Sequence, residues 1–136
     1  MACLDTSLLV DLAGRGGRVL QARARAKLVA VREAGEALTT TRFNVAELWV
    51  GVERSRHRDT ELQAIERILE PLIVLDFDES SARVFGRLAA YLDGAGSPRG
   101  DMDVLIASVA VVHGEPVITR NTRHFEGIPG LRVEGY

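Results

Sequence analysis

In GDMDVLIASVA, residues 100–110, two carboxylates two positions apart precede a run of apolar and small residues. Two residues along a helix is about 200° of rotation, so Asp101 and Asp103 cannot point to one place. One of them caps the helix and suits the positive end of its dipole, and Asp101 takes that role, or an outer one. Asp103, beside Val104, Leu105 and Ile106, is then left on a surface that reads as buried, where an unpaired ionised carboxylate costs on the order of several kcal/mol. Other polar groups fall at strand ends or helix starts: Asp5 after ACL, Asp76 after LIVL, Thr119 to Asn121 after PVI, and Asn44 with Glu47 in NVAELWVG. If Asp5, Glu47 and Asp103 converge, they repel one another unless a divalent ion sits between them. Oxygen donors without His or Cys suit Mg²⁺ or Mn²⁺, and such a site can activate water and hold a phosphodiester oxygen. Each group also has a purely structural reading, Asp5-Thr6-Ser7 as an N-cap cluster and Asn44 with Glu47 as a capping box.

The elements that must position these groups alternate. ACLD reads as a strand, SLLVDLAG as a short helix broken by Gly14, Gly16 and Gly17, and residues 18–34 as an amphipathic helix stopped by Gly35. EALTTT reads as a strand, NVAELWVGVER and TELQAIERILE as helices, PLIVLDF as a buried strand and SARVFGRLAAYL as a helix. After the turn-rich AGSPRG come the apolar helix DVLIASVAVV, the strand PVIT and a last edge strand in LRVEGY. Strands separated by helices imply a three-layer α/β/α sandwich with a mostly parallel central sheet, in one domain spanning residues 1–136. Ligands collect at the carboxyl ends of such strands, where Asp5 and Thr119 fall.

Composition narrows the function classes. The 136 residues are 46% hydrophobic, enough for a packed core, and no apolar run approaches the roughly 20 residues of a membrane span. No membrane partner and a cytoplasmic location are expected. The one cysteine, Cys3, rules out a disulfide framework and reads as a core residue. The net charge of −2 gives no global sign of nucleic acid, yet the charges cluster. Arg15, Arg18, Arg23, Arg25, Lys27 and Arg32 are the only ionisable residues between Leu12 and Arg32, and Arg54, Arg56, His57 and Arg58 form a second group. Either stretch reads as a solvated face, a phosphate groove or a surface for an acidic partner. His57, His113 and His124 are not spaced as a zinc set. Trp49 and Tyr91 sit at core or dimer-interface spacing.

LDTS (Asp5), NVAELWVG (Glu47), GDMDVLIAS (Asp103) and VITRNTRHFEGIPGLRVEGY, in this order across nearly the whole chain, resemble the signatures of PIN-domain ribonucleases, and specifically of VapC toxins of toxin–antitoxin pairs. The resemblance implies a PIN-like fold, endoribonuclease activity dependent on Mg²⁺ or Mn²⁺, an RNA substrate, neutralisation by a cognate antitoxin, and a homodimer. It makes Asp5 and Asp103 the principal metal ligands and Glu47 the third acid, directly or through water. It places Asn121 at the family's fourth, often acidic, position, where the lost charge weakens any second metal, as does His124 where some relatives carry an acid. Thr6, Ser7 and Thr119 become hydroxyls that orient carboxylates or water. The products implied are a 5′-phosphate and a 3′-hydroxyl, and an antitoxin arm is expected to set a basic residue among the acids.

Other readings fare worse. A receiver-like switch needs a lysine after a late strand, where Arg120 stands, and a haloacid-dehalogenase-like phosphatase needs an aspartate at Ser7. A catalytically silent RNA- or protein-binding module keeping the PIN fold remains the alternative.

Overall fold

β1 (Ala2–Leu4) lies at the centre of a five-stranded sheet ordered β3-β2-β1-β4-β5, and every pair in it is parallel. The computed structural model describes all 136 residues. Alternation along β1 divides the core: Ala2 and Leu4 face one apolar cluster, whereas Cys3 faces the other. The first cluster is covered by α1 (Thr6–Leu12), α2 (Arg18–Glu33), α3 (Arg42–Arg54) and α4 (Arg58–Leu69). The second is covered by α5 (Glu79–Gly94) and α6 (Asp101–His113). This is the expected three-layer sandwich, with parallel pairing throughout rather than for the most part. Burial pushes the Cys3 thiol well above its usual range, in keeping with an inert core residue.

The chain runs from β1 outward to β2 (Leu38–Thr41) and β3 (Ile73–Leu75), then crosses back through α5 and α6 to β4 (Val117–Ile118) on the other side of β1. The strand order therefore reverses between β1 and β4. Connections at such a point diverge to opposite faces and leave a crevice beyond the carboxyl ends of the two strands. Asp5 follows β1 and Thr119 follows β4.

Several local expectations are corrected. The last strand, β5 (Val133–Glu134), occupies only two residues of LRVEGY, and a 3₁₀ turn at Thr122–His124 precedes it. α3 begins two residues before the helix read in NVAELWVG, with Thr41 as its N-cap, so its capping box joins Thr41 to Asn44 and not Asn44 to Glu47. Gly100, not Asp101, is the N-cap of α6, and Asp101 is an exposed residue of its first turn. Asp76 stands exposed, paired with Arg42 across 2.8 Å. Tyr91 is 56% exposed and is not a core residue.

Candidate active site

The reading of Asp5 as a helix cap fails on geometry. It occupies the N-cap position of α1, but its side chain makes no capping bond. The carboxylate is buried and accepts from three other elements instead. Thr119 Oγ1 donates to Oδ2 at 2.7 Å, Ser7 Oγ to the same oxygen at 3.3 Å, and Asn44 Nδ2 to Oδ1 at 3.0 Å. The hydroxyls of Ser7 and Thr119 lie 3.1 Å apart, and each accepts a backbone N–H, from Arg120 and Asn121 respectively, at 3.0 Å. The loop after β4 is thereby bolted to the start of α1.

Asn44 links this assembly to the next acid. Its Oδ1 accepts the Thr41 N–H at 3.2 Å and its N–H donates to Thr41 Oγ1 at 3.2 Å, closing the capping box and fixing the rotamer. With its carbonyl oxygen so engaged, its amide group donates to both Asp5 and Thr6 Oγ1, the latter at 2.9 Å. Thr6 in turn donates to Glu47 Oε1 at 2.7 Å. Glu47 lies three residues after Asn44 on α3, on the same helical face.

Asp103 comes from the other layer, in the first turn of α6. It is partly buried, with His124 Nδ1 at 3.3 Å from Oδ2. Burial raises its pKa above the usual carboxylate range; the nearby Asp5 adds to the rise, while His124 and Arg99 oppose it. Burial likewise raises Glu47, with Asp5 and Asp103 adding to the shift and the Thr6 hydroxyl opposing it. The acids thus feel one another's charge.

Asp5, Thr6, Ser7, Val10, Glu47, Asp103, Arg120, Asn121 and His124 line one cavity of about 340 Å³, in which Val10 is the sole apolar residue. All four residues singled out from the sequence, Asp5, Glu47, Asp103 and Asn121, meet there. No three acidic, histidine or cysteine side chains close around a single point. Three mutually repelling carboxylates in a cavity that also offers the Thr6 and Ser7 hydroxyls and the Asn121 amide fit a hydrated cation, since Mg²⁺ ordinarily takes one or two carboxylates and keeps several waters. A cation there would offset both the burial of these charges and the mutual repulsion that adds to the rise of Glu47 and Asp103.

Sequence reasoning did not reach Asn44 as the bridge between Asp5 and Thr6, although its spacing to Glu47 put it on the correct face. Arg120 lay within the Thr119–Asn121 stretch read at the strand ends but was given no role at the site. Neither basic stretch lines the acidic cavity. Arg25 and Arg32, with Arg67, rim a separate groove of about 250 Å³ lined by Leu4, Leu9, Leu28 and Leu72 among others, and Arg58 is paired with Glu53 at 2.9 Å.

Fold and site together define a PIN domain, and the profile of that family matches residues 2–131. The chain belongs to the PIN-domain family and, within it, stands among the VapC ribonucleases. It is 39% identical over 94 residues to the tRNA(fMet)-specific endonuclease VapC of Salmonella typhimurium, covering 69% of this chain and 71% of that one. Ribonuclease VapC2 of Haemophilus influenzae is 31% identical over 133 residues, covering 98% and 96%. Among solved structures, DNA-bound VapBC from Salmonella typhimurium superposes with a TM-score of 0.83 at 29% identity, over 99% of this chain and 98% of the other. VapBC2 from Rickettsia felis, bound to a promoter DNA fragment, reaches a TM-score of 0.89 at 24% identity, over 99% and 98%, which speaks to the fold.

Proposed function

We propose that this chain is the toxin of a toxin–antitoxin pair, a single PIN-like domain over residues 1–136 that hydrolyses RNA phosphodiester bonds with the help of Mg²⁺ or Mn²⁺. The observation that carries the reading is the convergence of Asp5, Glu47, Asp103 and Asn121 in one polar cavity at the strand-order reversal, in a chain related to VapC ribonucleases over nearly its full length. Asp5 and Asp103 hold the cation and Glu47 completes the set, directly or through water. When bound, the ion lowers the pKa of a water and offsets charge on the phosphoryl oxygens.

The chain's own groups do the rest. Asp5 is immobilised by three donors, so its oxygens present a fixed direction to whatever enters the cavity. Glu47, with its raised affinity for a proton, is the group suited to accept one from the attacking water, and Thr6 holds its orientation. Asn121 supplies an uncharged oxygen at the rim, which disfavours a second cation. The open cavity suits single-stranded or loop RNA, whose backbone bends and whose bases can splay, better than a stiff duplex.

The partner is a cognate antitoxin. The apolar groove edged by Arg25, Arg32 and Arg67 supports docking of an apolar segment that carries acidic residues. Exposed Val19 and Val29 on α2 and Val50 on α3 support pairing with a second copy. No helix is long and apolar enough to cross a membrane, and we assign the protein to the cytoplasm.

Expression with and without the neighbouring upstream reading frame, followed by mapping of RNA 5′ ends, tests the function. The expected result is growth arrest with new 5′ ends, relieved both by the neighbour and by Asp5→Asn. Unchanged RNA ends overturn it.

A further inference from the structure

Asp11, on α1, is fully buried (0% exposed), yet it does not serve the core. Its Oδ2 accepts the Tyr136 hydroxyl at 2.6 Å and lies 3.3 Å from Arg120 Nε, while its Oδ1 has no donor. Gly16 closes over that free oxygen so tightly that a Cβ there would come within 2.5 Å of it. A buried carboxylate with one unsatisfied oxygen is costly, and an apolar residue of similar volume would stabilise the fold more. Its charge is spent on Arg120.

Arg120 stands where two cavities meet. It lines the acidic cavity with Asp5, Glu47 and Asp103, and it also lines an adjoining cavity of about 200 Å³ formed with Asn121, Thr122, Arg123 and His124, which has no apolar wall. Its backbone N–H is held by Ser7 Oγ, so both ends of the residue are anchored. The side chain is nevertheless 43% exposed, and its terminal nitrogens make no hydrogen bond within the chain. An unrestrained arginine beside three carboxylates would fold over them and neutralise the cavity. Drawn toward Asp11 by their ion pair, it leaves the rest of its fork to the neighbouring space, a geometry matched to a phosphate.

We propose that Asp11, braced by Tyr136, is a positioning residue that holds Arg120 off the acidic cluster and fixes it as the contact for an RNA phosphate adjacent to the one cleaved. Burial and the Asp11 hydrogen bond both push the Tyr136 phenol up, so it remains a protonated donor at all physiological pH. The proposal rests on the nuclease reading.

Its test is a binding and kinetic series. In an Asp103→Asn background, affinity for a mixed-sequence single-stranded RNA oligonucleotide is measured against salt. Arg120→Ala is expected to weaken binding about tenfold and to flatten the plot of log K against log salt by about 0.7, the share of one single-strand phosphate contact. Asp11→Asn is expected to reproduce both changes, and the Asp11→Asn/Arg120→Ala combination to add nothing further. In otherwise native protein with Mn²⁺, Asp11→Asn raises KM about tenfold and leaves kcat within about twofold. An unmoved slope and KM, or additive effects in the combined variant, overturn the proposal. Should Asp11→Asn fail to fold by circular dichroism, Tyr136→Phe must raise KM in the same direction by a smaller factor, and an unchanged KM there overturns it as well. Native protein that cleaves no RNA overturns the nuclease reading and this inference together, whereas active native protein with unresponsive variants overturns the inference alone.

Discussion

The two walls of the acidic cavity are built on opposite physical terms. On the wall formed by the ends of β1 and β4 and the starts of α1 and α3, Asp5 is buried with three donors, and Asn44, Ser7 and Thr119 are each bonded at least twice. On the facing wall, Asp103 has one partner, an exposed histidine, and its proton affinity is raised by burial that hydrogen bonds do not offset. The first wall is a frame whose geometry is settled on folding. The second stores electrostatic strain that a cation bound there would relieve, which would couple ion binding to charge neutralisation.

Removing the strained charge is the most severe way to break this contrast. Asp103→Asn is expected to cut cleavage by about 10³-fold, several kcal/mol of barrier, and to abolish Mn²⁺ binding measured by titration calorimetry. A carboxylate raised on folding contributes stability in acid and loses it as pH rises through its folded pKa. The metal-free variant, free of that loss, should therefore melt about 3 °C above native protein at neutral pH, with the gap closing toward acid. A variant that melts lower in the absence of metal contradicts the strain. Equal, negligible Mn²⁺ binding by both proteins would instead favour a silent binding module.

Attacking the frame should give the reverse pattern. Asn44→Ala removes the capping box and leaves Asp5 Oδ1 without its donor, at a cost of about 2 kcal/mol, or about 8 °C in Tm. Activity should fall about 10- to 100-fold through misplaced carboxylates, as loss of orienting partners generally does. Native-like melting of this variant would show that the first wall is not a frame.

The smallest effect belongs to the hinge between the walls. Thr6→Val deletes the donor that holds Glu47 down, so the pKa of Glu47 should rise further and the acid limb of the pH–rate profile should move to higher pH. A loss of about threefold at neutral pH is expected, approaching nothing in alkali. A limb that stays in place would remove Glu47 from the role of proton acceptor.

Much of this was legible in the chain. Apolar patterning marked all six α-helices, the short apolar run ACL marked β1, and β-branched runs marked β2 and β4, because packing there follows local pattern. The acids were legible by the same logic: Asp103 has no local reason to sit among apolar residues, and Asp5 follows a buried strand. What escaped depends on long-range contact. Thr41 both ends β2 and caps α3, so the strand-like threonine run hid the start of the helix and passed the capping role to the wrong pair, Asn44 and Glu47. Asp11, Arg120 and Tyr136 share no motif, and Asp11 is separated from the other two by more than 100 positions. The basic stretch at 15–32 read as a solvated face, a phosphate groove or a partner surface through density of charge, whereas the arginine that lines the acidic cavity, Arg120, lies outside both dense stretches and is placed by topology.

The central place of β1 bears on when the protein becomes dangerous to its host. Its carboxyl-end aspartate is completed by a threonine 114 residues later, delivered by a strand that pairs with it directly. A chain still on the ribosome before β4 emerges has only one neighbour for β1 and no far side to the crevice. Synthesis itself therefore withholds the harmful competence until β4 has been made, leaving time for a partner already made to meet the newborn fold.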